Sequence, residues 1–125
     1  MYKGIDHLAI CAKDTAALAQ WYCDHFGFSV LSDNGQSPPT IFIKGEVGSA
    51  VEIMPANDTP ATSADFWDAG IRHIAIITDD FAAAQATLQD IGAELVGPER
   101  VPIGGGRLQS FRDPEGNIAQ VLWRP

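Results

Sequence analysis

The chain carries the same stretch twice. Gly4-Ile5-Asp6-His7-Leu8-Ala9-Ile10 returns as Gly70-Ile71-Arg72-His73-Ile74-Ala75-Ile76, with the two histidines 66 positions apart in 125 residues. A repeat of half the chain length constrains the architecture before any local reading does. The residues after each copy also match: a helix-like stretch, a glycine, turns and strands, then a strand with a polar residue at its centre. The first copy closes on Ala50-Val51-Glu52-Ile53-Met54 and the second on Ile118-Ala119-Gln120-Val121-Leu122, with Glu52 and Gln120 68 positions apart. The chain therefore reads as one domain built from two copies of a module, 1–55 and 70–125, joined by a linker over 56–69.

Each module predicts the order βαβββ. In the first, alternation over 5–12 places His7, Ala9 and Cys11 on one strand face and Leu8 and Ile10 on the other. Asp14 or Thr15 can cap a helix over 16–26, with Leu18, Trp21, Tyr22 and Phe26 as its buried stripe and Gly27 as its stop. Strands are predicted over 28–31, 40–44 and 50–54. A short helical turn over 64–68 leads into the second module. There the pattern predicts a strand over 71–78, and a helix capped by Asp79 or Asp80 that runs to Ile91 with Phe81, Ala84, Leu88 and Ile91 buried. Strands over 94–96, 107–112 and 118–123 complete it. Asp113-Pro114-Glu115-Gly116-Asn117 is a strong turn signal before the last of these. Trp123 is expected in the core; Trp21 and Trp67 are expected in the core or at an interface.

Charge narrows the partners. The formal net charge is −8, from 8 basic and 16 acidic residues, which argues against a nucleic-acid footprint. No apolar run reaches the length of a membrane span, and the first residues lack a signal-peptide core. The two cysteines, Cys11 and Cys23, have no zinc-like spacing and read as reduced thiols. A cytoplasmic protein with a small-molecule partner is the expectation.

The polar residues suggest the chemistry. In both modules the histidine face of the first strand is the side away from the helix. The last strands put Glu52 with Ala50 and Met54, and Gln120 with Ile118 and Leu122. A curved sheet built from two such modules would bring His7, Glu52, His73 and Gln120 to its centre. Burying four such groups without a compensating partner is costly. A divalent metal is the simplest common partner, and the donor set suits Zn²⁺, Ni²⁺, Co²⁺, Mn²⁺ or Fe²⁺. Hydrogen-bonded core residues are the alternative for each side chain taken singly.

The two His-bearing strands, together with Phe111-Arg112-Asp113-Pro114-Glu115-Gly116-Asn117-Ile118-Ala119-Gln120, resemble the vicinal oxygen chelate superfamily, the glyoxalase, bleomycin-resistance and extradiol-dioxygenase group. The resemblance covers essentially the whole chain. It implies an α+β fold of paired βαβββ modules forming a U-shaped mixed sheet around a central cleft, and a homodimer. By position it implies His7, Glu52, His73 and Gln120 as metal ligands, with Gln120 standing where a Glu is usual. The set resembles that of methylmalonyl-CoA epimerase with Glu and Gln exchanged between modules. The family chemistry implies a lyase or isomerase in which a metal stabilises an enolate or oxyanion and a carboxylate, here Glu52, moves a proton. Arg107, after Gly104-Gly105-Gly106, is a candidate to hold an anionic substrate group. The alternative function is a metal-free small-molecule binder of the bleomycin-resistance type.

Overall fold

The computed structural model describes residues 1–61 and 65–125. The chain is α+β and divides into two compact units, Met1–Pro60 and Ala61–Pro125.

The first unit contains β1 (His7–Ala12), α1 (Thr15–Phe26), β2 (Ser29–Asp33), β3 (Ile41–Lys44) and β4 (Ala50–Pro55). Its mixed sheet has the order β1-β4-β3-β2, with β1 parallel to β4 and the other pairs antiparallel. The helix starts where the Asp14 carboxylate accepts the Ala17 N–H at 3.0 Å, satisfying a backbone donor that has no intrahelical partner. It ends at Gly27, whose φ of 70° is the left-handed conformation that a glycine adopts without a Cβ clash. Leu18 and Tyr22 of the predicted stripe are fully buried, but Trp21 and Phe26 are only half-buried. Thr15 and Ala19 are buried instead. They are small, so the helix can approach the sheet closely, and the Thr15 hydroxyl donates to the Pro39 carbonyl at 2.6 Å. Ile41, Ile43, Val51 and Ile53 supply the sheet side of this core.

The second unit contains β5 (His73–Ile77), α2 (Phe81–Asp90), β6 (Arg107–Arg112) and β7 (Ile118–Trp123). The sheet order is β5-β7-β6, with β5 parallel to β7. Asp80 caps α2 by accepting the Ala83 N–H at 3.0 Å, the same distance as in the first unit. Phe81 and Leu88 are the buried helix residues. The chain leaves α2 through Gly92 (φ 63°), with the Ala93 N–H returning to the Leu88 carbonyl. Phe111, Ala119 and Val121 form the sheet side of the core.

The strand expected over 94–96 is not a full ladder strand. The segment runs antiparallel to β6 at two isolated bridges, Leu95 to Phe111 and Arg100 to Leu108. Gly97-Pro98 interrupts it, because proline has no N–H for a ladder bond and Gly97 turns the backbone at φ 72°. The expected turn ahead of β5 is present over 65–68, where the Asp68 N–H bonds the Asp65 carbonyl. Ala64 of that turn, and Thr62 and Ser63 of the linker, lie outside the described residues. Trp67 is 79% exposed and so is not a core residue. Among the described residues no helix is long and apolar enough to cross a membrane.

Candidate functional site

Strand pairing gives the two units the same register. In the first, His7 lies opposite Ala50 and Ala9 opposite Glu52. In the second, His73 lies opposite Ile118 and Ala75 opposite Gln120. Residues paired across strands share a sheet face, so each unit has its histidine and its central polar residue on one face, a strand apart.

In the first unit these side chains meet. His7 Nε2 is 3.3 Å from Glu52 Oε2, and His7 Nδ1 is 2.8 Å from Asp6 Oδ2. Either ring nitrogen can carry the proton, so His7 can donate to Asp6 or to Glu52, and a cation between Nε2 and Oε2 is a further way to make the second contact favourable. Two ligand atoms on one metal, at bonds of about 2.0–2.2 Å and angles of roughly 90–110°, lie about 3.0–3.4 Å apart. The pair therefore fits adjacent ligand positions. The Asp6 contact matches the carboxylate that commonly orients a ligating histidine. Phe42, opposite Glu52 on β3, packs edge-on against the His7 ring at 5.1 Å. Because Phe42 has no hydrogen-bonding group, Glu52 has nothing to bond on that side.

The second unit is arranged differently. Ser110 of β6 occupies the position opposite Gln120, and the buried Gln120 amide Nε2 bonds the Ser110 hydroxyl at 3.1 Å. A hydroxyl donates as well as accepts, so either end of the amide satisfies this bond. His73 lacks an acidic neighbour, since Arg72 stands where the first copy has Asp6. Instead its ring lies parallel to Phe66 within 8°, with centroids 5.8 Å apart. Burial, and then the Arg100 charge, hold the His73 pKa below the usual histidine value. Among the described residues no group of three or more His, Cys, Asp or Glu is clustered closely enough to hold a metal. A metal at His7 and Glu52 would need further donors.

Arg107 lies elsewhere. It pairs with Trp123 across the sheet, on the helix-facing side, where its guanidinium sits 4.4 Å over the Phe81 ring of α2. Its Nε and Nη2 donate to Glu99 Oε1 and Oε2 at 2.6 and 3.1 Å. This bond holds Glu99 below the usual carboxylate range. Arg107 is therefore on the face opposite His73 and Gln120, with its charge already matched. Reading residues singly missed four that shape the two faces: Asp6, Phe66, Arg100 and Ser110. Asp6 was open to notice, since it precedes a repeated histidine; the others are identified only by cross-strand and loop contacts.

Comparison with known proteins supports the same family. The model of the Glyoxalase/Bleomycin resistance protein/Dioxygenase superfamily matches residues 4–121. The uncharacterized protein YaeR of Escherichia coli (strain K12) is 28% identical over 118 residues, covering 91% of each chain. Among solved structures, a glyoxalase family protein from Enterococcus faecalis is 28% identical, covers 97% of this chain and 98% of its own, and superposes with a TM-score of 0.74. TnmS3, an antibiotic binding protein from Streptomyces sp. CB03234, shares the fold at 21% identity and a TM-score of 0.76, covering 99% and 98%. The repeated register, the mixed sheet in each unit and the match along nearly the whole length place this chain in the Glyoxalase/Bleomycin resistance protein/Dioxygenase superfamily.

Proposed function

We propose that the protein is a metal-dependent glyoxalase-like enzyme, a lyase or isomerase acting on a small oxygen-rich substrate. His7, Glu52, His73 and Gln120 are the proposed metal ligands, for a divalent ion such as Zn²⁺, Ni²⁺, Co²⁺, Mn²⁺ or Fe²⁺. The observation that carries this reading is the 3.3 Å approach of His7 Nε2 to Glu52 Oε2, with the other ring nitrogen held by Asp6. Such an ion supplies Lewis acidity toward a developing enolate or oxyanion. Glu52 is the proton carrier in this reading, because it is the carboxylate on the histidine face of β4 and is only partly exposed to water. It takes a proton at Oε2 from substrate carbon and returns it. Gln120 is neutral and serves as a weaker ligand or as a donor to the substrate. The same reading takes the protein as a cytoplasmic homodimer; elution at the monomer mass on sizing would remove the dimer.

Elemental analysis of untagged protein tests the metal. About one divalent transition metal per chain is expected, with occupancy reduced in His7→Ala and in His73→Ala. Glu52→Gln should keep the fold and abolish turnover on a substrate found by screening; full turnover in that variant removes the base role. A second reading, a metal-free small-molecule binder, is supported by the exposed Trp67 beside Phe66 and by the Gln120 bond to Ser110. Protein that takes up none of the five ions under reducing conditions would favour it.

A further inference from the structure

We propose that Arg100 is the anion anchor of the substrate face of the second unit, gripping a carboxylate or phosphate group of the ligand through its guanidinium while the Phe66 and Trp67 rings hold that group in place. The inference rests on the proposed function only in taking the His73–Gln120 face as the substrate face.

Register places Arg100 on that face. It bridges Leu108, and Leu108 pairs with Leu122 while Ser110 pairs with Gln120. Cross-strand partners share a face, so Arg100, Leu108, Ser110 and Gln120 lie on one side of the sheet, with His73 two strands from Ser110. Arg107, five residues before Arg112 on the same strand, lies on the other side.

The chemistry of Arg100 is unusual for this molecule. Its Nε is buried, and among the described residues it has neither a hydrogen-bond partner nor an ion pair. Buried polar groups are nearly always satisfied, so an exception calls for an explanation, such as a water, an ion or a bound ligand. The guanidinium is nonetheless held firmly: its carbon is 4.4 Å from the Phe66 ring centroid and 5.7 Å from that of Trp67. A guanidinium held over an aromatic ring keeps its N–H donors for an oxyanion, since the ring accepts none of them as a hydrogen-bond partner. Phe66 also stacks on His73, so one aromatic ring ties the cation to the candidate metal ligand. Arg107 is the internal contrast, since both of its bonding nitrogens are taken by Glu99. On a chain of net charge −8, an unmatched guanidinium on this face gives an anionic group a favourable place to bind.

The test is a titration of the whole protein, metal-free and metal-supplied, with inorganic phosphate and separately with propionate at constant ionic strength. The readouts are the Arg100 Nε–Hε resonance and Trp67 fluorescence. Saturable binding is expected for at least one anion, with a shift of the Nε–Hε signal, and the tighter of the two distinguishes phosphate from carboxylate. Arg100→Met should weaken it at least tenfold, whereas Arg107→Met should change it by less than about twofold. If Arg100→Met unfolds the second unit, Arg100→Lys keeps the charge without the planar fork and should still weaken binding several-fold. Unsaturable responses, unchanged affinity in the Arg100 variants, or an equal loss in Arg107→Met would each overturn the assignment. Because the metal-free arm needs no ion, a protein that takes up metal but binds neither anion refutes this inference alone. A protein that binds the anion but no metal refutes the proposed metal reading alone.

Discussion

Replacing Asp113 by alanine should unfasten the turn that delivers β7 and Gln120. Asp113 is 5% exposed. Its Oδ1 accepts the Glu115 N–H at 2.9 Å, the Asn117 N–H at 3.0 Å and the Asn117 side-chain amide at 3.1 Å. Its Oδ2 accepts that same amide at 2.9 Å. Alanine deletes every one of these acceptors and strands two half-buried backbone donors. Each such donor costs about 1–3 kcal/mol, the lower half applying where water can reach in, so the expected loss is about 2–4 kcal/mol. Asp113→Asn keeps one oxygen for the two backbone donors but loses the charge and the second acceptor, and should cost about 1–2 kcal/mol. Urea unfolding monitored by far-ultraviolet dichroism measures both. With a slope of about 1–3 kcal/mol per molar urea, Asp113→Ala should lower the midpoint by about 1–2 M at unchanged slope. A loss below about 0.5 kcal/mol, within the range of ordinary surface changes, would refute the view that this carboxylate holds the turn. So would an Asn variant no better than Ala.

Local geometry sets three further outcomes. A Cβ on Gly106 would lie 2.0 Å from the Trp123 carbonyl oxygen, whereas on Gly104 it would meet only the movable end of Arg124 at 3.1 Å. Gly106→Ala should therefore cost about 3–5 kcal/mol by breaking the β6–β7 end, against about 1–2 kcal/mol of left-handed backbone strain for Gly104→Ala, both read by thermal melting. Asp14→Ala and Asp80→Ala remove caps of matching geometry and should each cost about 1 kcal/mol; calorimetry showing one large and one absent effect would contradict the equivalence. His73 has a folded pKa below 6.5, from burial first and the Arg100 charge second. The unfolded chain thus takes up this proton before the folded one does. In metal-free protein the His73 contribution is complete above about pH 6.5 and declines as pH falls through the folded value. Melting of His73→Gln should lack that slope, and an identical pH profile would remove the assignment.

The repeat made much of this fold legible. Two copies of one His-bearing strand, each leading to an Asp-capped helix, give two like sheets. The alternation around Glu52 and Gln120 correctly puts each on the face of its histidine. The Asp-Pro-Glu-Gly-Asn turn was equally plain, because its residues act locally through Asp113. The segment over 94–100 was not legible as it stands. A strand needs a partner at every other residue, and Gly97-Pro98 breaks the pairing in a way that only the register against β6 reveals.

What the sequence determined by itself was therefore set by local chemistry: helix caps, turns, strand faces and the equivalence of the two modules. What the tertiary structure decided is what each face residue meets across the sheet. Glu52 and Gln120 occupy the same position in the repeat, yet Glu52 turns to His7 because its neighbour is Phe42, and Gln120 is taken by Ser110. Arg107 and Arg100 flank the same glycine-rich stretch in the sequence. Pairing with Trp123 puts Arg107 on the helix side against Glu99, and bridging to Leu108 puts Arg100 on the His73 side, with no carboxylate paired to it among the described residues. Alternation says which residues of a strand share a face, but the pairing register and the loops that reach across it decide their neighbours, and those contacts are fixed only when the whole unit packs.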